Sequence, residues 1–466
     1  MAIQSQNPAT EEVIASFEEH TEAQINQILD RSVGAFKQWR NQPFAHRAQL
    51  MTQAAKQLRA GSERLATLMT LEMGKPIAQA RAEVEKCAWC CDYFAENAES
   101  FLADIVKPSA ATESYVAFDP LGAVLAIMPW NFPLWQVFRF AAPGLMAGNV
   151  GVLKHASNVP QCALAIEEVF TKAGFPRGAF QTVLVPGAKA TALIDDPRIA
   201  AVTLTGSEEA GAMVAEAAGR ALKPAVFELG GSDPYIVLED ADVEAAARVA
   251  IDARFQNVGQ SCIAAKRFIV VDSVADEFQE RFRNGIEELV VGDPMDASVK
   301  IGPLAKDDLV DTLEEQVKRS VAAGATVVTG GERLDRRGYY YAPTLIADVK
   351  PGMQVFSEET FGPAAALIRA ADTGEAIALA NDSRFGLGAA LWTRDVDRGK
   401  RLAREIEAGA VFINGMVASD PRLPFGGVKR SGYGRELADF GIREFVNIKT
   451  VWIGPTQTPP PAASSE

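Results

Sequence analysis

A single cysteine in a short polar loop is the residue of this sequence best placed to act as a nucleophile. The stretch Gln256-Asn257-Val258-Gly259-Gln260-Ser261-Cys262-Ile263-Ala264-Ala265-Lys266 follows a helical run from Val243 to Phe255. It precedes Arg267 to Val271, which reads as a buried strand. Loops held between stiff elements carry function more often than cores do. Only an activated thiol reacts, however, and a free cysteine is otherwise a small buried hydrophobe. The loop alone leaves both readings open.

A second candidate is Thr205-Gly206-Ser207, where a strand, Ala200 to Leu204, turns into a helix. The free N–H groups of a helix N-terminus attract anions such as a pyrophosphate, although Gly-Ser at such a place is more often a plain cap. No Gly-x-Gly-x-x-Gly follows an early strand, so the common dinucleotide fingerprint is missing.

The elements that must position these residues follow from the pattern along the chain. Its 466 residues exceed what one core usually supports. Residues 21 to 104 read as helices: Thr21 with Gln24 has the form of a capping box, and Ser62 can cap a later run. Val84, Cys87, Cys91 and Phe94 share one helical face, so these cysteines read as core. With three histidines in the whole chain no metal site is expected. Ser114 to Phe118 and Ala123 to Met128 are strand-like and joined by Asp119-Pro120-Leu121-Gly122, a turn sequence. Strands and helices then alternate to Glu228, and a second alternating series runs from Tyr235 to Ile413. That pattern indicates two parallel-sheet α/β domains with Gly230-Gly231 as the natural hinge.

Lysine and arginine number 46 against 60 acidic residues, a net charge of −14 with no basic run. This argues against nucleic acid or an anionic membrane as partner. Leu121 to Leu153 is apolar, but Pro129, Pro133 and Pro143 interrupt it and Asn131, Gln136 and Asn149 would lack partners in lipid. Five cysteines and no basic, apolar leader at Met1–Thr10 predict reduced thiols in a cytoplasmic protein. The Pro- and Ser-rich end, 454–466, is expected to be a disordered tail.

Four further segments add to the cysteine loop: Met128-Pro129-Trp130-Asn131-Phe132-Pro133, Phe227-Glu228-Leu229-Gly230-Gly231, Glu358-Glu359-Thr360-Phe361-Gly362-Pro363, and Leu423-Pro424-Phe425-Gly426-Gly427-Val428-Lys429. Together and in this order they closely resemble the aldehyde dehydrogenase superfamily, over about residues 7–453. The resemblance implies a Rossmann-like cofactor domain (1–104 and 122–229), a catalytic domain (230–430), and a small β bridging element (105–121 and 431–453) that joins subunits into a homodimer or homotetramer. It makes Cys262 the catalytic thiol, Asn131 the amide donor of an oxyanion hole, and Glu228 the base that activates water to hydrolyse a thioester. Trp130, Gly206, Ser207, Glu359 and Phe361 are implied to hold the nicotinamide cofactor. Relatives with a second cysteine two residues past the nucleophile can form a disulfide; Ala264 stands there instead.

Two departures within the resemblance bear on specificity. NAD-favouring relatives commonly carry Lys-Pro-x-Glu where this chain has Lys154-His155-Ala156-Ser157. A carboxylate would repel a 2′-phosphate, whereas Ser157 beside Lys154 can hydrogen-bond it, so NADP is expected as the preferred cofactor with NAD the alternative. Arg139, eight residues after Asn131, matches an arginine of succinate-semialdehyde dehydrogenases, and Ser419 matches an assisting serine. Arg139 is expected at the mouth of the substrate funnel, pairing with a distal carboxylate. Trp135, Gln256 and Phe425 are expected substrate contacts, Gln256 standing where some such enzymes have a second arginine. The implied reaction is oxidation of succinic semialdehyde to succinate; a broader range of semialdehydes or simple aldehydes is the alternative.

Overall fold

The computed structural model describes residues 3–455, so the tail expected over 454–466 falls, past Pro455, outside the described residues. Helices Glu22–Trp39, Phe44–Ala60, Ser62–Met73 and Ile77–Phe101 fill the region read as helical. Thr21 does form a capping box: its N–H donates to Gln24 Oε1 at 2.8 Å and its hydroxyl accepts the Gln24 N–H at 3.3 Å. Ser62 does not cap; it is already the first helical residue, and Gly61 takes the N-cap position without a side-chain bond. A hairpin of Ile3–Gln6 and Val13–Phe17 precedes the helices and was not foreseen.

The first sheet has the order Gly432–Tyr433, Ala225–Glu228, Ile199–Thr205, Ala123–Met128, Val150–His155, Phe180–Thr182. All neighbours but the first pair are parallel. The strand order reverses at Ala123–Met128, and ligands of such sheets bind outside the carboxyl end of that strand. The Trp130–Pro133 turn lies there, leading into the helix Trp135–Ala147, every residue of which is buried. Apolar residues from 121 to 153 thus form strand, turn, helix and strand; among the described residues no helix is long and apolar enough to cross a membrane.

The second sheet runs Thr326–Thr329, Thr344–Ala347, Ala364–Ala370, Ala265–Val271, Asp233–Val237, Gly388–Trp392, Ala410–Ile413, parallel except at its first edge. Each sheet has its own apolar core. The chain leaves the first sheet at Glu228 and enters the second at Asp233, so the Gly230-Gly231 hinge sits between them.

One boundary of the small β element needs correction. Glu113–Pro120 pairs with Val446–Ile453 and Ile105–Val106 in a three-stranded sheet, apart from the strand Ala123–Met128 that follows it in the chain. The segment from 431, however, does not all belong to that sheet. Gly432–Tyr433 pairs antiparallel with Ala225–Glu228, so only Val446–Ile453 is a bridging strand. The reason is local: Gly432 has φ +114, and an added Cβ there would collide with the Phe227 backbone it must approach.

Cys87, Cys90 and Cys91 are fully buried core residues. Phe138, on the buried helix, stacks on Phe170 with ring centroids 5.3 Å apart. Phe138→Ala leaves a cavity there and is expected to destabilise the fold by about 3–5 kcal/mol. Denaturant melting checks this, and a loss below about 1 kcal/mol would mean that the site collapses onto the gap.

Candidate active site

Cys262 follows a strained turn. Asn257 and Val258 have φ +51 and +60, and Gly259 has φ +72. A left-handed β-branched residue costs energy and persists only where its surroundings enforce it. Here they do: the Asn257 amide donates to the carbonyls of Asn131 (2.8 Å) and Gln260 (2.9 Å), and its N–H donates to Gln79 Oε1 at 2.6 Å. At Gly259 a Cβ would run into the Gly362 carbonyl. Arg254, wholly buried, bonds the carbonyls of Thr360 and Gly362 and fixes the 358–363 segment against the same turn.

Asn131 is buried, and its amide donates to the Gln260 carbonyl at 3.1 Å. One N–H of that amide remains free, and the Cys262 backbone N–H has no partner among the described residues. Two such donors beside a thiol suit a developing oxyanion. The Asn131 turn is braced from three sides. Glu83 Oε1 accepts the N–H groups of Leu134 and Trp135, both at 2.9 Å. Glu83 is ion-paired with Lys75, whose ammonium lies 3.8 Å from the Phe132 ring centre. His155 Nδ1 accepts the Ala156 N–H, so Nε2 carries the proton and donates to the Pro133 carbonyl at 2.8 Å. Burial lowers the His155 pKa to about 4 and keeps it neutral.

Glu228 ends its strand buried, and neither carboxylate oxygen has a hydrogen-bond partner among the described residues. Burial first, and then the nearby Glu436, push its pKa well above the usual carboxylate range, against Arg139 and Arg435. Glu228 does not line the cavity that reaches Cys262. A Cβ on Gly426 would sit 2.8 Å from its Oε1, so a glycine is required for the Phe425–Gly427 loop to pass.

Arg139 is not at a funnel mouth. It is 2 % exposed, with Nε 2.6 Å from Glu436 Oε2 and its guanidinium 4.6 Å from the Phe425 ring centre. Burying an arginine without a partner is costly, so the fold supplies Glu436. Arg139 also lowers the Cys262 pKa, making it a cation felt by both thiol and base.

A cavity of about 430 Å³ reaches Cys262 and is lined among others by Phe132, Trp135, Arg139, Gln256, Ser419 and Phe425. The expected substrate residues Trp135, Arg139, Gln256, Ser419 and Phe425 are therefore brought together. Lys86, which sequence reasoning missed, lines it too. Its ammonium donates to Ser419 Oγ at 3.0 Å, as Trp135 Nε1 does at 2.9 Å, and it lies 4.4 Å from the Trp135 ring centre. The signal available was its place four residues before Cys90 on the helix that also carries Cys87 and Cys91.

On the cofactor side, Ser207 caps the helix Glu208–Arg220, its hydroxyl accepting the Ala210 N–H. Ser207 and Glu359 line one groove with Arg384 and Arg430, two cations that sequence reasoning also missed. Both pair with Glu208. Gly206 precedes the cap, and its Cβ would meet nothing closer than 3.5 Å. Glu359 accepts the Gly231 N–H at 3.1 Å and lies 3.6 Å from Lys266. Lys266, fully buried, donates to the carbonyls of Ser261 (2.7 Å) and Cys262 (2.6 Å). The cysteine loop and the Glu359 segment are thus held by one ammonium. Trp130 and Phe361 meet edge to face at 5.7 Å.

Lys154 is the next-to-last residue of the strand Val150–His155, and Ser157 is exposed on the following loop. Lys154 has no ion pair among the described residues. Burial and the charge of Lys306 lower its pKa. Lys154 and Lys306 thus sit close enough for their charges to act on each other, and two ammonium groups favour an anion.

Burial pushes the Cys262 thiol up to about 12, against Arg139 and Lys266. Burial favours the protonated thiol and raises the Glu228 pKa, and both groups must lose a proton to act as nucleophile and base. The rate therefore rises with pH: with a neutral aldehyde, kcat/KM should climb steadily from about pH 6 to about pH 9. A profile that falls over that span would contradict the assignment. Gly259→Ala should abolish turnover, measured as nicotinamide reduction, while leaving far-ultraviolet circular dichroism unchanged.

Comparison with known proteins agrees with this geometry. Residues 1–451 match the family model described as the aldehyde dehydrogenase family. A Synechocystis sp. protein named a probable NADP(+) succinate-semialdehyde dehydrogenase is 56 % identical over 97 % of this chain and 100 % of its own. NADP(+) succinate-semialdehyde dehydrogenase 1 of Mycobacterium tuberculosis is 52 % identical, with the same shares covered. The crystal structure of succinic semialdehyde dehydrogenase from Streptococcus pyogenes in complex with NADP(+) superposes with a TM-score of 0.95 at 37 % identity, over 97 % of this chain and 100 % of that one. The chain belongs to the aldehyde dehydrogenase family.

Proposed function

We propose that the chain oxidises succinic semialdehyde to succinate, with NADP as preferred cofactor and NAD as the alternative. The observation that carries this reading is the cavity at Cys262, which presents cations while its acids are already satisfied or at the rim. Lys86 and Arg139 line it, Glu83 is held by Lys75 and two backbone N–H groups, and Asp252 and Lys300 are exposed at the edge. A small aldehyde with a carboxylate at its far end suits such a lining. The relatives named for this substrate support the same reading.

The chemistry follows from the residues. Cys262 sulfur bonds the aldehyde carbon, its proton leaves, and the oxyanion receives the Asn131 and Cys262 N–H donors. The bound nicotinamide supplies a hydride acceptor. Glu359 and the helix N-terminus after Gly206 and Ser207 would hold the cofactor, together with Trp130 and Phe361, and Lys154 and Ser157 would take its ribose phosphate. The substrate carbon is left as a thioester on Cys262. Glu228 takes a proton from water, the water oxygen attacks the thioester carbon, and the sulfur leaves as thiol with succinate released. Apolar walls from Phe132, Trp135, Ile263 and Phe425 favour a second reading, a broader aldehyde range.

We also place the protein in the cytoplasm as a homodimer or homotetramer. The strand Val446–Ile453 leaves Ile448 and Trp452 more than half exposed on a sheet edge, a surface suited to pairing with a second copy.

Steady-state kinetics with succinic semialdehyde and butanal, each with both cofactors, test the reading. Succinic semialdehyde with NADP should give the highest kcat/KM; a tenfold advantage for NAD or for butanal would sink it. Ser157→Glu places a carboxylate at the ribose and should move the cofactor ratio toward NAD by about tenfold or more. Light scattering of a Trp452→Lys variant should report a smaller mass than the wild type, and an unchanged mass would move the interface elsewhere.

A further inference from the structure

We propose that Lys86, rather than Arg139, is the cation that receives the distal carboxylate of the substrate, with the Ser419 hydroxyl and the Gln256 amide beside it. This deepens the reading above and rests on it.

Unused donors outnumber acceptors around Lys86. Ser419 Oγ accepts from both Lys86 and Trp135, and its own O–H donates to nothing among the described residues. A hydroxyl carries two acceptor sites and one donor, so its proton is left for a further acceptor. The Lys86 ammonium has three N–H groups and one hydrogen-bond acceptor, Ser419. Gln256 Nε2 is buried on the same cavity without a partner. The Ser419 O–H, the Gln256 amide and the remaining Lys86 N–H groups line one cavity with no acceptor from the described side chains. A carboxylate, which only accepts, is the complementary group.

The acids near Lys86 are already satisfied. Glu83 is bound to Lys75 and to two backbone N–H groups. Asp420 makes bonds of 2.9 and 2.6 Å to the Arg422 guanidinium and accepts the Arg422 N–H. Arg139 differs in having Glu436 at 2.6 Å and Thr205 Oγ1 at 3.4 Å. Pairing a substrate carboxylate with Arg139 would crowd a second anion against Glu436 and Glu228. The Lys86 pKa is lowered to about 8, by burial first and then by Arg139, as expected of an ammonium that lacks an anion. The Trp135 ring holds the ammonium in place meanwhile.

The test compares kcat/KM for succinic semialdehyde and for butanal, with NADP, in the wild type, Lys86→Met, Lys86→Gln and Lys86→Arg. Lys86→Met and Lys86→Gln should lower the ratio of the two values by at least about tenfold, mainly through KM for succinic semialdehyde. Lys86→Arg should recover most of the ratio. Lys86→Gln keeps a donor for Ser419, so a variant of unimpaired melting temperature separates charge from folding. If the wild type prefers succinic semialdehyde and both neutral variants keep its ratio, the assignment to Lys86 is overturned while the substrate stands. A wild type that does not prefer it overturns the substrate reading, and this inference with it.

Discussion

The Gln260 carbonyl receives two amides, one from Asn131 and one from Asn257, and the rest of the site depends on that junction. Asn131 stands at the carboxyl end of one parallel sheet and Asn257 in the turn before Ala265–Val271, a strand of the other. The double acceptor fixes the oxyanion donor relative to the thiol, although the two residues come from different cores. Lys266 adds a second clamp by joining the carbonyls of Ser261 and Cys262 to Glu359. Backbone strain at Asn257 and Val258 persists because these bonds over-determine the turn.

Burial sets the electrostatics. The thiol, Glu228 and Glu436 are all disfavoured as anions, and the nearby cations Arg139, Lys266 and Arg435 partly offset that. Such an arrangement favours the protonated forms of nucleophile and base. It also keeps them in a region where each introduced charge interacts strongly, because little water screens it. Arg139 works within this balance: paired with Glu436, it moderates two acidic groups without leaving an isolated buried charge.

Much of the site was legible because each motif is short and local. Cys262, Glu228, Asn131, Ser207 and Glu359 sit on strand ends or loops whose sequences carry their own turn chemistry, and the structure places them as loops and caps around two sheets. Long-range partners were not legible. Nothing near Arg139 in the sequence announces Glu436, so the sequence alone points to a funnel mouth where the fold makes a buried ion pair. Lys86 looked like one more polar residue on a helix, and only folding brings Ser419 and Trp135 to it. The antiparallel strand Gly432–Tyr433 escaped for the same reason, since two residues give no periodicity to read.

The central claim is that Cys262 carries a thioester that Glu228 helps water to cleave. The most direct measurement is mass spectrometry of Glu228→Gln quenched after mixing with succinic semialdehyde and NADP, alongside the burst of NADPH. One turnover of NADPH per site is expected, with an acyl group on the Cys262 peptide that is absent in Cys262→Ala. Continued wild-type turnover with no acyl peptide would contradict it.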